Sequence, residues 1–438
     1  MKSPLRKRLP RELKSEFGKY LVVFIMMAIT IGFVSGFLVA DGSMLRAYDD
    51  SFQKYNIEDG YFQTKKKLTP AQKEDIEKSD VKVYENFYIE QKLTNGSTIR
   101  FFKNRKEVDK VCLMNGKMPK KSGEIAVDRM YADNNELKVG DTVKSRKKTF
   151  RITGLVALSD YSALFQNNND TMFDAVKFGV AIVTDKDFEA LNQVKVQYNY
   201  AWIYDKKPAT EKKEKKMAED LMEDMADVVT IESFVPQYQN QSIHFTGDDM
   251  GSDRAMIVML LYIVMAILAF VFGITISNTI TKESSAIGTL RASGYTKGEL
   301  VRHYLSMPVI VTLISALVGN VLGYTVFKDV VVSMYYNSYS LPTYETIWNP
   351  DAFFKTTLIP VVLMFMVNLI VIIKMMQHTP LQFLRHDLKK TKRKKAMRLP
   401  HFKFFNRFRL RIMFQNVANY LILFVGIFFI MVMLAMAV

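Results

Sequence analysis

Hydrophobic and polar residues alternate in two different rhythms along the chain. Long apolar runs occupy residues 20–40, 255–280, 301–327, 355–374 and 419–438. Each lies near the roughly 20 residues that cross about 30 Å of hydrocarbon at about 1.5 Å per residue. The pattern therefore predicts about five membrane-spanning helices. The fourth run is the shortest and carries Pro360 and Asn368, which a span tolerates where neighbouring helices satisfy the freed polar groups. The first run comes after a basic flank, Arg6, Lys7, Arg8 and Arg11. Its apolar core exceeds the roughly 7–15 residues of a signal peptide, so it reads as an uncleaved anchor.

Residues 41–254 keep a shorter rhythm. Period-2 or β-rich runs at "VKVYENFYIEQKL", "STIRFFK", "KTFRITGLV", "KFGVAIVT" and "VQYNYAWIYD" predict strands. "TPAQKEDIEKS", with Pro70 just after Thr69, predicts a helix, as do "DKDFEALNQ" and "PATEKKEKKMAEDLMEDMA". In the last of these Met217, Leu221 and Met225 fall at i, i+4 and i+8, the stripe of a helix laid on a sheet. The fold class is thus an α-helical membrane protein with a large mixed α/β domain between the first and second spans.

Charge orients this arrangement. Lys and Arg crowd residues 1–19, a basic amphipathic segment, and also 281–300 and 375–418, whereas 328–354 is almost free of them. The positive-inside rule then places the N-terminus and the 281–300 and 375–418 segments in the cytoplasm, with 41–254, 328–354 and the C-terminus outside a cell membrane. The net charge of +16 lies largely beside the spans, where it attracts anionic lipid headgroups rather than nucleic acid. One cysteine, Cys112, excludes an intramolecular disulfide framework. The five histidines are scattered, no catalytic or metal-binding grouping can be assembled from them, and the spans show no buried charges of an ion pathway. Sequon triplets at Asn95, Asn169 and Asn240 lie on the outward side but are short enough to arise by chance.

Two stretches are more specific. In 116–156 a turn at 119–123 precedes a strand beginning at Glu124, a helical piece at 130–134 and a tight turn at Val139, Gly140 and Asp141. "GEIAV", "LKVGDTV" and "FRITGLV" in this order, with Gly123, Glu124, Val139, Gly140 and Asp141 as their fixed points, resemble the outer domain of the FtsX-like permease family of ABC transporters, the MacB and LolC/LolE type. The resemblance implies a ferredoxin-like lobe joined to a second, smaller lobe, which the sequence does not resolve.

The other stretch is "TKESSAIGTLRASGYTKGEL", 281–300. The second span is expected to continue as helix to Ala292, with Gly294 closing it in a left-handed conformation. Thr296 and Glu299 form a capping box that starts the next helix. Ile287, Leu290 and Tyr295 supply apolar contacts while Lys282, Glu283 and Arg291 remain wet. Physics alone equally allows an ordinary loop packed on its own bundle. The stretch resembles the coupling helix of FtsX-like permeases at Glu283, Ile287, Gly288, Leu290, Arg291, Ala292, Gly294 and Tyr295. That resemblance implies docking on a cytoplasmic ABC ATPase subunit.

The chain has no G-x-x-x-x-G-K-[ST]; "GNVLGYTV" at 319–326 lacks the lysine. No cofactor or metal is expected in this chain, ATP and Mg belonging to the partner ATPase. Gly319 and Gly323 instead form a G-x-x-x-G, which either lets another helix approach closely or reflects only how common glycine is in membrane helices.

"HTPLQFLRHD" at 378–387 resembles the segment closing a four-span unit of the family, and the residues after it repeat the plan of the N-terminus: a basic amphipathic helix, then a span. The chain thus reads as the N-terminal half of a duplicated permease, a truncated product, a partial gene or a split subunit, with a true five-span protein as the alternative. A second permease half or a second copy would complete it. The resemblance implies a non-catalytic permease subunit that couples ATP hydrolysis to export or extraction of a peptide, antibiotic, lipid or lipoprotein. The alternative is an FtsX-type signalling protein whose outer domain controls an extracytoplasmic partner.

Overall fold

The computed structural model describes residues 10–11, 13–14, 16–145, 148–191 and 196–388, together with positions 405, 406, 409, 410 and 424. The expected fifth span at 419–438, most of the basic linker before it and the start of the N-terminal segment lie outside the described residues. Among the described residues four helical stretches are long and apolar enough to cross a membrane: α1 (Phe17–Lys54), α6 (Gln241–Lys282), Lys297–Ser338 and Pro350–Met376. A mixed α/β domain is inserted between the first and second.

Both α1 and α6 outrun their apolar stretches, α1 ending at Lys54 and α6 beginning at Gln241. Their polar extensions stay helical because they pack on each other. Tyr48 donates its hydroxyl to the Ile243 carbonyl at 2.8 Å, and a Cβ on Gly247 would sit 2.7 Å from the Tyr48 ring. Asp41, one residue past the apolar run, is fully buried within α1.

The inserted domain contains two sheets. β1 (Gly60–Thr64), α2 (Pro70–Glu77) and β2 (Val81–Glu85) begin the first sheet. The chain then builds the whole second lobe: β3 (Tyr88–Lys92), β4 (Thr98–Lys103), β5 (Val111–Gly116), β6 (Glu124–Asp128), α3 (Arg129–Asn134), β7 (Thr142–Lys144), β8 (Thr149–Leu158), β9 (Phe178–Val183) and α4 (Asp185–Leu191). It returns through β10 (Tyr198–Tyr204), α5 (Glu211–Val228) and β11 (Ile231–Pro236). The first sheet has the order β11-β1-β10-β2 with every pair antiparallel. Ignoring the insertion, that is the β-α-β-β-α-β ferredoxin-like arrangement. Its core is Phe62, Tyr200 and Trp202 under Leu221 and Met225 of the α5 stripe.

The second sheet runs β3-β4-β9-β6-β8-β5, with β7 paired to β8. β9 is buried at every position, as a continuous apolar run in mid-sheet should be. Gly179 is required there, since a Cβ would fall 2.4 Å from the Tyr131 ring. The turn residues of this lobe have local tasks. Gly123, at φ +89, donates its N–H to Asp187 Oδ2 at 2.9 Å, and Glu124 accepts the N–H groups of Lys120 and Lys121, which hold its carboxyl below the usual range. Gly140 has φ +107, Asp141 accepts from the Lys138 N–H at 2.8 Å, and Val139 is exposed.

The third span is α8 (Lys297–Leu322), a π-helical turn at Gly323–Phe327 and α9 (Lys328–Ser338); the fourth is α10 (Pro350–Met376). Gly319 and Gly323 face α1: a Cβ on Gly319 would lie 2.9 Å from the Ala28 carbonyl oxygen, and one on Gly323 2.8 Å from Ser35 Cβ. Gly32 and Gly36 of α1 form the reciprocal G-x-x-x-G, with Phe327 against both. Beside this seam Asn320 Oδ1 accepts from Ser35 at 2.8 Å and from Thr356 at 2.9 Å, so one amide ties three helices together. Thr356 and Asn320 are both buried, which makes each bond costly to lose.

The chain divides into two compact units, one formed by Met1–Thr279 with Thr296–Met376 and the other by Ile280–Tyr295 with Gln377–Val438. The second unit holds the hairpin that joins the second and third spans.

Candidate functional site

The helix expected to run unbroken through 281–292 is two helices. α6 stops at Lys282, Glu283 turns at φ −90 and ψ 11, and α7 occupies Ser284–Ala292. The α7 end is a Schellman closure: the Tyr295 N–H reaches the Leu290 carbonyl at 3.1 Å and the Gly294 N–H the Arg291 carbonyl at 3.3 Å, with Gly294 at φ +97. Thr296 caps α8 reciprocally with Glu299, at 2.8 Å from the Thr296 N–H and 3.3 Å from the Glu299 N–H. Only two residues, Tyr295 and the cap, separate the glycine from the next helix, so the turn is short and defined at both ends.

The buried face of α7 is Ser284, Ile287 and Gly288, at i, i+3 and i+4. It is covered from the same chain by α11 (Pro380–Leu384), a one-turn helix started by its own capping box between Thr379 and Gln382. Leu384 sits over Gly288 so closely that a Cβ there would be 2.8 Å from Leu384 Cγ and 3.1 Å from its backbone nitrogen. Just past α11, His386 takes φ +57 and lays its ring along α7, Nδ1 at 2.6 Å from the Ser284 hydroxyl and Nε2 at 3.0 Å from that of Ser285. Arg291 Nη1 donates to the His378 carbonyl, and Phe383 is fully buried.

The residues marked by resemblance therefore separate into two groups. Ile287 and Gly288 are buried and Arg291 is half-buried and bonded to His378, so these three build the hairpin. Glu283, Leu290 and Tyr295 are half-buried, while Ala292 and Gly294 are exposed. The open side of α7 is completed by Ala286, Thr289 and Ser293, all small and exposed. Sequence reasoning missed His378, Phe383, Leu384 and His386 as members of this unit. Their signal was present in the T-P-x-Q capping pattern, but not the pairing of that turn with a helix some 90 residues earlier.

The described residues combine four helices apolar and long enough to span a membrane, an inserted two-lobed domain and a capped helical hairpin between the second and third of those helices. Residues 258–380 match the family described as FtsX-like permease C-terminal, and the chain carries that domain. The match runs from within α6 through the hairpin and the third and fourth spans to the first residue of α11. Among solved structures, the extracellular domain of the noncanonic ABC-type transporter YknZ from Gram-positive bacteria is similar at 12% identity, covering 40% of this chain and 98% of that one with a TM-score of 0.22. No curated protein matches the chain.

Proposed function

We propose that the chain is the membrane subunit of an ABC transporter and that the open side of α7 docks on a separate ATPase. The observation that carries this reading is the division of α7 into two faces. One is used up by Leu384, His386 and the His378 carbonyl, which stiffen the hairpin. The other offers Ala286, Thr289, Ala292 and Ser293, side chains small enough for a partner groove to close on the helix itself. Chain connectivity supports the mechanical role, since α7 continues α6 through one bend and reaches α8 through one turn.

In this reading the hairpin is cytoplasmic, the inserted domain extracytoplasmic, and ATP with Mg is held by the partner chain. Nucleotide-driven movement of the partner pushes α7 and is carried into the second and third spans. Export or extraction of a peptide, antibiotic, lipid or lipoprotein is the output. A second permease half or a second copy of this chain completes the transporter.

Co-expression with candidate ABC ATPases tests the docking. Ala292→Trp fills the open face and is expected to abolish copurification while the chain keeps its detergent-solution profile. Copurification undiminished by Ala292→Trp and by Ala286→Arg would overturn the assignment of this face.

A further inference from the structure

The ferredoxin-like sheet is covered by α2 and α5 on one face only. Its other face turns Tyr61, Gln63, Asn199 and Ser233 toward a cleft of about 410 Å³, closed on the far side by residues 160–169 of the second lobe. At the edge of the cleft three acids are buried together. Glu58 is 2% exposed, Asp109 0% and Asp160 5%. A single guanidinium offsets their charge: Arg105 Nη1 lies 2.7 Å from Asp160 Oδ2 and 3.7 Å from Asp109 Oδ2. Arg100, which also lines the cleft, is already committed to Glu90 at 2.5 Å and to the Tyr161 hydroxyl. With every acid ionised the cluster carries excess negative charge out of water, which is expensive unless a proton or a cation balances it.

The residues that carry the unused acceptors line the cleft. Glu58 Oε2, Asp160 Oδ1 and Asn86 Oδ1 are buried without a hydrogen-bond partner. Arg105 lines the adjoining cleft instead, where its Nε and Nη2 are also unpartnered. We infer that the cleft between the two lobes binds a small organic cation through a primary ammonium or guanidinium group seated against Glu58, Asp160 and Asn86. Three separate acceptors suit the three donors of an ammonium. Tyr61, Gln63 and Asn199 also line the cleft and supply polar groups to the rest of the ligand. A metal ion fits less well: among the described residues no group of three or more His, Cys, Asp or Glu side chains is arranged to hold one.

Binding should displace a proton. Burial and the neighbouring Asp109 and Asp160 push Glu58 well above the carboxylate range against the opposing pull of Arg105, and burial with Asp160 pushes Asp109 up to about 7. Tyr61 and Asn240 are the other polar groups facing Glu58, the Asn240 amide donating to Glu58 Oε1 at 3.4 Å.

The test uses the full chain in lipid nanodiscs and titration calorimetry with putrescine and agmatine, with 1,4-butanediol as the uncharged isostere of putrescine. The inference expects saturable heat from at least one amine and none from the diol. It also expects heat that varies with the ionisation enthalpy of the buffer, and at least a tenfold affinity loss in Glu58→Gln. Gln63→Glu, which adds a carboxylate to the open wall without touching the buried acids, should tighten binding and serves if Glu58→Gln fails to fold. No saturable amine binding, equal binding of the diol, or affinities unchanged in both variants would overturn it. None of these outcomes depends on the ATPase reading.

Discussion

Gly288→Val examines whether α7 and α11 form one element. The added Cβ would stand 2.8 Å from Leu384 Cγ and 3.1 Å from the Leu384 backbone nitrogen, where relaxed carbon contacts need about 3.5–4.0 Å. The leucine tip can rotate; the backbone nitrogen cannot move without shifting α11. Overpacking of this kind costs about 1–3 kcal/mol, and two further methyl groups place valine at the upper end. Replacing a helix-interior glycine returns a few tenths of a kcal/mol for valine, too little to offset the clash. A net cost of about 2–3 kcal/mol raises the open population of the pair roughly 30- to 150-fold. Hydrogen–deuterium exchange of peptides covering 284–292 and 379–386 in nanodiscs reads that change directly. Gly288→Ala should be milder, because alanine regains about 1 kcal/mol of helix propensity, and Ala286→Val on the open face should leave exchange at 379–386 unaltered. Exchange in Gly288→Val equal to wild type, or raised equally in the strands of the inserted domain, would refute the packing argument.

The same geometry sets further expectations. Asn320→Leu removes the shared acceptor of Ser35 and Thr356 and should lower resistance to SDS unfolding by about 1–3 kcal/mol, membrane hydrogen bonds being worth about 0.6–1.7 kcal/mol each. Gly36→Leu places a Cβ 2.6 Å from Phe327 Cβ and 2.8 Å from the Lys328 backbone nitrogen; the first and third spans should fail to close, seen as loss of a monodisperse peak in size-exclusion chromatography. Asp109, pushed from 3.8 to about 7 by burial and Asp160, binds a proton more tightly folded than unfolded. Its contribution to stability is therefore complete below about pH 4 and disappears as pH rises through about 7, so Asp109→Asn should flatten the pH dependence of the melting temperature across that window.

What the sequence disclosed depended on how local each cause was. The Thr69 and Thr296 caps, the left-handed Gly294 and the α5 stripe are decided within one helical turn or a few, and their residues announce them. The lengths of α1 and α6 were not legible, because residues 41–54 and 241–254 are largely polar and the two extensions meet through Tyr48 and Ile243. The two lobes were hidden for the same reason. β1 pairs with β10 and β11, more than a hundred residues away, and a period-2 run shows that a strand exists without naming its partner. At the hairpin the sequence marked Ile287 and Gly288 as prominent but could not say which way they face. Both are buried, Gly288 beneath Leu384, whereas Ala286, Thr289 and Ala292 are exposed.

The most direct test of the coupling claim is a disulfide or short-linker crosslink from Thr289→Cys, on the open face of α7, in a Cys112→Ala background. A co-expressed candidate ABC ATPase carries single cysteines, placed one at a time along its surface grooves. Docking through this face predicts a crosslink to one groove whose yield changes when ATP is added, and its loss when Ala292→Trp is combined. A chain that never crosslinks at Thr289→Cys, or does so with no response to ATP, while the ATPase still copurifies, would contradict it.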